Sequence, residues 1–180
     1  MSEEEKKVFT SLADFAAMTT EAVPVVMSRL PAAGTFICRG AGVSVTMKDD
    51  DPDKDPFYTV VFSHEVLKAE MLADENLDPE SFVGKVIRER YPVWPNNMVE
   101  VLGLVRGMYK KIGLPNEGSF GGVEGEEPGF LDGLNEEAVY GLKINHSTGK
   151  NDQENAYFNW KRLDDEMYEA MGLPNPFVES

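Results

Sequence analysis

A change of hydrophobic phase around two glycines is the sequence feature that most constrains the fold. Apolar residues alternate with polar ones in one phase before Gly40 and in the opposite phase after Gly42. Glycine at such a change predicts a β-bulge or a sharp bend, because it adopts backbone conformations that other residues avoid. We therefore predict one long, bent strand over Thr35–Met47.

Four further strands and one long helix follow the bent strand in the hydrophobic pattern. Period-two alternation predicts the strands, and an apolar stripe at helical spacing, ending before Gly113 and Pro115, predicts the helix. The predicted elements are, in order, strands over Phe57–His64 and Phe82–Tyr91, a helix from Asn96 or Asn97 to Ile112, and strands over Ala138–His146 and Gln153–Trp160. The Gly- and Glu-rich stretch Asn116–Gly133 lacks periodicity and is predicted to be a mobile surface loop.

The order of these elements predicts a mostly β fold with helices. A meander of three strands, a helix and a closing hairpin is the order of the OB-fold, a five-stranded Greek-key barrel. We predict an OB-fold-like barrel over residues 31–160, an extension with a short helix over 1–30, and a C-terminal helix and tail over 161–180. Another small α+β sandwich is the alternative, because periodicity alone does not define which strands pair.

The charge of the chain is strongly negative and unevenly distributed. Among 180 residues, 17 are Lys or Arg and 32 are Asp or Glu, so the formal net charge is −15. This disfavours a purely electrostatic coat on nucleic acid or anionic lipid, but it leaves room for a local basic groove. The segment Ser81–Asn116 carries six basic residues and two acidic ones, a local charge of +4, so the remainder carries −19.

The sequence lacks the residue patterns of several other classes of protein. A single cysteine, Cys38, excludes an intrachain disulfide and a cysteine-based zinc site, and its strand context predicts a small buried hydrophobe. Ser63-His64-Glu65 would point to alternating strand faces, which argues against a catalytic triad. The alternating acids of Asp49–Asp55 lack the glycine and late glutamate of a calcium loop. We expect no enzyme activity, cofactor, metal or membrane span, and a cytoplasmic protein.

Four short stretches of the chain resemble a known family. They are Leu30-Pro31-Ala32-Ala33-Gly34-Thr35-Phe36, Phe82-Val83-Gly84-Lys85, Lys110-Lys111-Ile112-Gly113-Leu114 and Glu154-Asn155-Ala156-Tyr157-Phe158. Over residues 30–160 the chain is similar to small phage-encoded OB-fold proteins that bind single-stranded DNA and are associated with recombination. The resemblance implies an OB-fold, single-stranded DNA as ligand, and the host cell cytoplasm as location. The acidic segment Asp49–Asp55 departs from this pattern, at a loop that often borders the ligand groove.

Cations and aromatic residues of the predicted strands form a candidate binding groove. Single-stranded nucleic acid needs cations that follow its phosphates and aromatic faces that stack on its bases. Arg88 and Arg90 share one strand face, and Tyr91 and Trp94 follow directly. Outward positions of the last two strands add Lys143, Asn145, Tyr157 and Lys161. The alternative for Tyr91 and Trp94, which lie beside two prolines, is to seal one end of the barrel.

Two functions agree with these patterns. The first is a single-stranded DNA-binding protein of phage-type replication or recombination, in which the acidic segment Asp164–Ser180 contacts replication or recombination proteins. The alternative for that segment is a packed helix, with Leu163, Met167 and Met171 on its apolar face. The second function is an acidic interaction or inhibitor module of phage origin that occupies a basic partner. Self-association is compatible with both.

Overall fold

A computed structural model describes residues 30–150 and 152–173 of the chain. The chain divides into two units, Met1–Leu30 and Pro31–Ser180, and all elements below belong to the second. The short helix predicted in the N-terminal extension lies outside the described residues.

Five antiparallel strands form one sheet, and the described residues include two α-helices. The elements are β1 (Gly34–Lys48), β2 (Phe57–Leu72), β3 (Val86–Val93), α1 (Met98–Lys111), β4 (Val139–Thr148), β5 (Glu154–Lys161) and α2 (Asp165–Ala170). The strands lie side by side in the order β3-β2-β1-β4-β5. The prediction of a mostly β fold with five strands and a helix between the third and fourth is therefore confirmed.

The predicted bend of β1 is present at the two glycines. The pairing register between β1 and β2 shifts between Gly40 and Val43, which is the bulge that the phase change predicts. A Cβ on Gly40 would lie 2.5 Å from the carbonyl oxygen of Asn135, and Gly42 has a φ of +100°. The bend allows β1 to pair with β4 over Gly34–Arg39 while it pairs with β2 along its whole length.

The second and third strands have different bounds from those predicted. β2 continues eight residues beyond His64, because its last part pairs with the beginning of β1 and buries Val66 and Ala69. This long-range pairing outweighs the mixed polar pattern of the segment. β3 begins later than predicted, since Pro79–Phe82 form a 3-10 turn and Gly84 has a φ of +79°.

The prediction of a surface loop over 116–133 is wrong for part of that segment. Phe130 and Leu131 are buried in the main core. The carboxylate of Asp132 accepts hydrogen bonds from the backbone N–H groups of Gly122 and Gly129, at 3.0 and 2.7 Å. The hydroxyl of Tyr109 in α1 donates to the carbonyl oxygen of Leu131 at 2.7 Å. These contacts connect the glycine-rich segment to the helix and to the core.

The main core lies between the inward faces of the five strands and α1. Its strand residues include Phe36, Phe62, Tyr140, Leu142 and Trp160, which are almost completely buried. Val105 and Tyr109 of α1 pack against them. Cys38 is buried in the same core as predicted, and this burial raises the pKa of its thiol to about 12.

The C-terminal helix packs against the outward face of the sheet. Leu163 and Tyr168 are buried with Ile37 and Val139 in a second apolar cluster. The Tyr168 hydroxyl donates to the carbonyl oxygen of Val139 at 2.8 Å. The described part of the acidic C-terminal segment is therefore a packed helix, whereas residues 174–180 lie outside the described residues.

Tyr168→Ala is expected to lower the free energy of unfolding by about 3 kcal/mol, because the change removes a buried ring and its hydrogen bond. Urea denaturation measures the loss. Glu169→Ala on the exposed side of the same helix is the control. An equally small change for both variants would contradict the packing role of α2.

Candidate nucleic-acid interface

Side chains connect the two edge strands of the sheet. No backbone ladder joins β3 to β5 in the described part of the chain. The indole Nε1 of Trp160 in β5 instead donates a hydrogen bond to Oε2 of Glu89 in β3, at 2.7 Å. Both side chains are buried, at 1% and 2% exposure, so the sheet curls enough for the inward faces of its two edge strands to share one core. We call this junction the seam.

A hydrogen-bonded network surrounds Glu89 inside the seam. His64 Nε2 lies 3.2 Å from Oε2 of Glu89, and His64 Nδ1 lies 2.6 Å from the Tyr140 hydroxyl. The Tyr91 hydroxyl donates to Oε1 of the same carboxylate. Burial, together with the negative charge of Glu89, raises the pKa of Tyr91, which keeps its hydroxyl a proton donor. Among the described residues, every buried side-chain nitrogen and oxygen has a partner.

The residues that flank the seam point outward. Neighbouring residues of a strand face opposite sides, so Arg88 and Arg90 lie outside on either side of Glu89. Asn159 and Lys161 lie outside on either side of Trp160, and all four are exposed. The predicted arginines of β3 and the predicted lysine of β5 are thus all outward, on the two edge strands whose inward side chains meet in the seam.

The exposed surface continues from β5 onto β4. Lys143 pairs directly with Asn159, and Asn145 pairs with Tyr157, whose side chain is 54% exposed. The Lys111 ammonium at the end of α1 donates to Oδ1 of Asn159 at 3.3 Å. We define the seam surface by its outward side chains, Arg88, Arg90, Lys143, Asn145, Tyr157, Asn159 and Lys161. It contains six of the eight residues predicted to bind.

The seam surface is positive in a protein that is strongly negative. Its outward positions on β4 from 141 to 147 and on β5 from 155 to 161 contain no carboxylate. Among the described residues, neither Arg88 nor Arg90 has a carboxylate within ion-pair distance. Arg39 is different, since its guanidinium makes two hydrogen bonds to Glu65, at 2.7 and 3.1 Å. The exposed guanidinium groups of Arg88 and Arg90 are therefore not engaged in an ion pair within the described part of the chain.

Two predicted residues lie outside the seam surface. Tyr91 faces inward, with its ring edge-on to Phe62 at 5.9 Å, so base stacking would require it to leave the core. Trp94 is half-buried and stacks on Phe57 with ring centroids 4.0 Å apart, which occupies one of its two faces. Ligand stacking by Trp94 therefore stays a prediction, beside the alternative that it seals one end of the barrel.

Glu89 is the important residue that the sequence analysis missed. Glu89 occupies the inward position between Ile87 and Tyr91, and this register places its carboxylate in the core. A single acid at an inward position of a strand is the signal that could have found it. His64 is buried while its neighbour Ser63 faces the other side, in agreement with the predicted alternation.

The described residues show neither a metal-binding cluster nor a membrane-spanning helix. No group of three or more His, Cys, Asp or Glu side chains in that part of the chain could hold a metal ion. None of its helices is long and apolar enough to cross a membrane. We found no protein-family model that matches the sequence and no match among curated proteins.

Proposed function

We propose that the protein is an OB-fold-like Greek-key barrel that binds single-stranded DNA in phage-type replication or recombination. The strand order supports this fold, because β1 lies between β2 and β4 as in an OB-fold. The position of α1 between β3 and β4 and the side-chain contact between the edge strands agree with it. The resemblance of four stretches to phage-encoded proteins supports the biological setting.

The composition of the seam surface carries the proposal. Arg88, Arg90, Lys143 and Lys161 can follow a phosphate chain, and the exposed ring of Tyr157 can stack on a base. The side-chain amides of the two asparagines offer donors and acceptors to base edges. These groups are the components that a site for unpaired nucleic acid requires.

The acidic remainder of the protein favours single strands over duplex. The exposed turn Asp49–Asp55 carries five aspartates between β1 and β2. These aspartates repel the phosphates of a second DNA strand, whereas a single strand bound on the seam surface stays away from them. Negative charge outside the seam surface therefore favours the binding of single-stranded DNA over duplex DNA.

We expect the protein to bind an oligo-dT strand about tenfold more tightly than duplex of equal length, since one stacked base contributes about 1–3 kcal/mol. The dependence of log affinity on log salt should have a slope of about −3, because four phosphate contacts contribute roughly −0.7 each. Fluorescence anisotropy at several salt concentrations measures both. Equal affinity for the two forms, or no binding at low salt, would refute the proposal.

An acidic interaction module is the second candidate function. Asp49, Asp50, Asp51 and Asp55 line an open hollow of about 410 Å³, which Lys48 and Lys54 also border. Lys54 forms an ion pair with Asp51 at 2.7 Å, whereas the other three carboxylates make no ion pair among the described residues. Such a hollow suits the cationic side chains of a basic partner. If this function is right, the protein binds no DNA at any salt concentration. It instead binds a basic protein, and the double variant Asp49→Asn/Asp50→Asn weakens that binding.

A further inference from the structure

The outward face of α1 has no partner in the described part of the chain. Val99 and Leu104 are 85% and 57% exposed, although both are apolar. A Cβ on Gly103 or Gly107 would meet no atom within 4 Å. Nothing in the described residues of one copy therefore requires glycine at these two positions.

This face carries opposite charges at its two ends. Residues three or four apart lie on one side of a helix, so one continuous stripe faces away from the core. Glu100 stands in the first turn of the stripe and Lys110 in the last. Between them lie the two glycines. We define the α1 face as Val99, Glu100, Gly103, Gly107 and Lys110.

We propose that the α1 face joins two copies of this chain in an antiparallel helix pair with two-fold symmetry. An axis opposite Val105, midway between Gly103 and Gly107, sets each Gly103 against Gly107 of the second copy. The same axis sets each Glu100 against Lys110 of the second copy, because both pairs are centred on the same residue. An isologous interface needs a surface that is complementary to itself. The α1 face meets this requirement, because the two-fold axis generates two identical ion pairs between Glu100 and Lys110.

The glycines support the same arrangement. Glycine weakens an exposed helix interior relative to nearly every other residue, and alanine would fit within one copy. A facing helix supplies the reason for glycine, because backbones can approach closely only where side chains are small. The second copy would then cover the exposed side chain of Val99 at the edge of the helix–helix interface.

The ion pairs can be tested by charge reversal. Glu100→Lys or Lys110→Glu should each weaken self-association about tenfold, because two ion pairs are replaced by like-charge contacts. The double variant Glu100→Lys/Lys110→Glu should restore it, since the pairs are exchanged. Sedimentation velocity over a protein concentration series, without nucleic acid, measures the dimer. A protein that stays monomeric throughout, or a double variant that is no stronger than the single ones, overturns the proposal.

The glycines provide a second test with effects of opposite sign. Gly103→Gln with Gly107→Gln should raise the melting temperature of the monomer, because glutamine favours helix. The same variant should abolish the dimer, because two long side chains separate the helices. Unchanged self-association would overturn the proposal. Both tests leave Arg88 and Arg90 intact, so their outcome is independent of DNA binding.

Discussion

Arg88→Glu with Arg90→Glu is expected to weaken single-stranded DNA binding about 100-fold. Each arginine is outward, exposed and without an ion-pair partner among the described residues, so each can donate charge-assisted hydrogen bonds to phosphate. Two such contacts contribute about 3 kcal/mol together, which corresponds to that factor. The salt slope should become less negative by about 1.4, since two phosphate contacts are lost.

The control for this variant reverses two other cations. Lys48→Glu with Lys68→Glu changes the net charge equally, but both exposed residues lie outside the seam surface. It should reduce affinity only through long-range repulsion, which salt screens. Thermal unfolding should be little changed in both variants, because exposed substitutions usually alter stability by less than about 0.5 kcal/mol. Equal losses of affinity would show that net charge, not the seam surface, determines binding.

Glu89→Leu is expected to lower the free energy of unfolding by roughly 3–5 kcal/mol, because a buried polar network loses its shared acceptor. The indole N–H of Trp160 and the hydroxyl of Tyr91 would be left without partners in the core. His64 Nε2 would lose its carboxylate as well. Because the lost bond from Trp160 joins β5 to β3, the variant should also open the seam. Chemical denaturation measures the stability, and indole fluorescence reports the surroundings of Trp160.

Glu65→Leu is the matched control for the buried carboxylate. Glu65 lies in the neighbouring strand and is bonded to Arg39, but its side chain is 27% exposed. The hydrogen bond from Arg39 lowers the pKa of Glu65, so the carboxylate is ionised at neutral pH. Solvent screens this outer pair, and its loss should change stability much less than the loss of Glu89. A comparable effect of the two substitutions would mean that the network does not hold the seam.

The sequence predicted the features that depend on local periodicity. Alternation along a strand identifies two faces, so the outward positions of Arg88, Arg90, Lys143 and Tyr157 could be assigned before any pairing was known. The phase change at Gly40 located the bend of β1, because glycine allows the backbone approach that the bend requires. The helix between the third and fourth strands followed from its apolar stripe for the same reason.

Only the tertiary structure decided which distant segments meet. The extension of β2 beyond His64 depends on pairing with β1, and the burial of Phe130 depends on α1 and the core. The seam depends on Trp160 and Glu89, which are 71 positions apart. Spacing within a segment determines which way a side chain faces, but not which remote side chain it meets. Glu89 and Trp160 could therefore be recognised as partners only once the curled sheet had brought their side chains together.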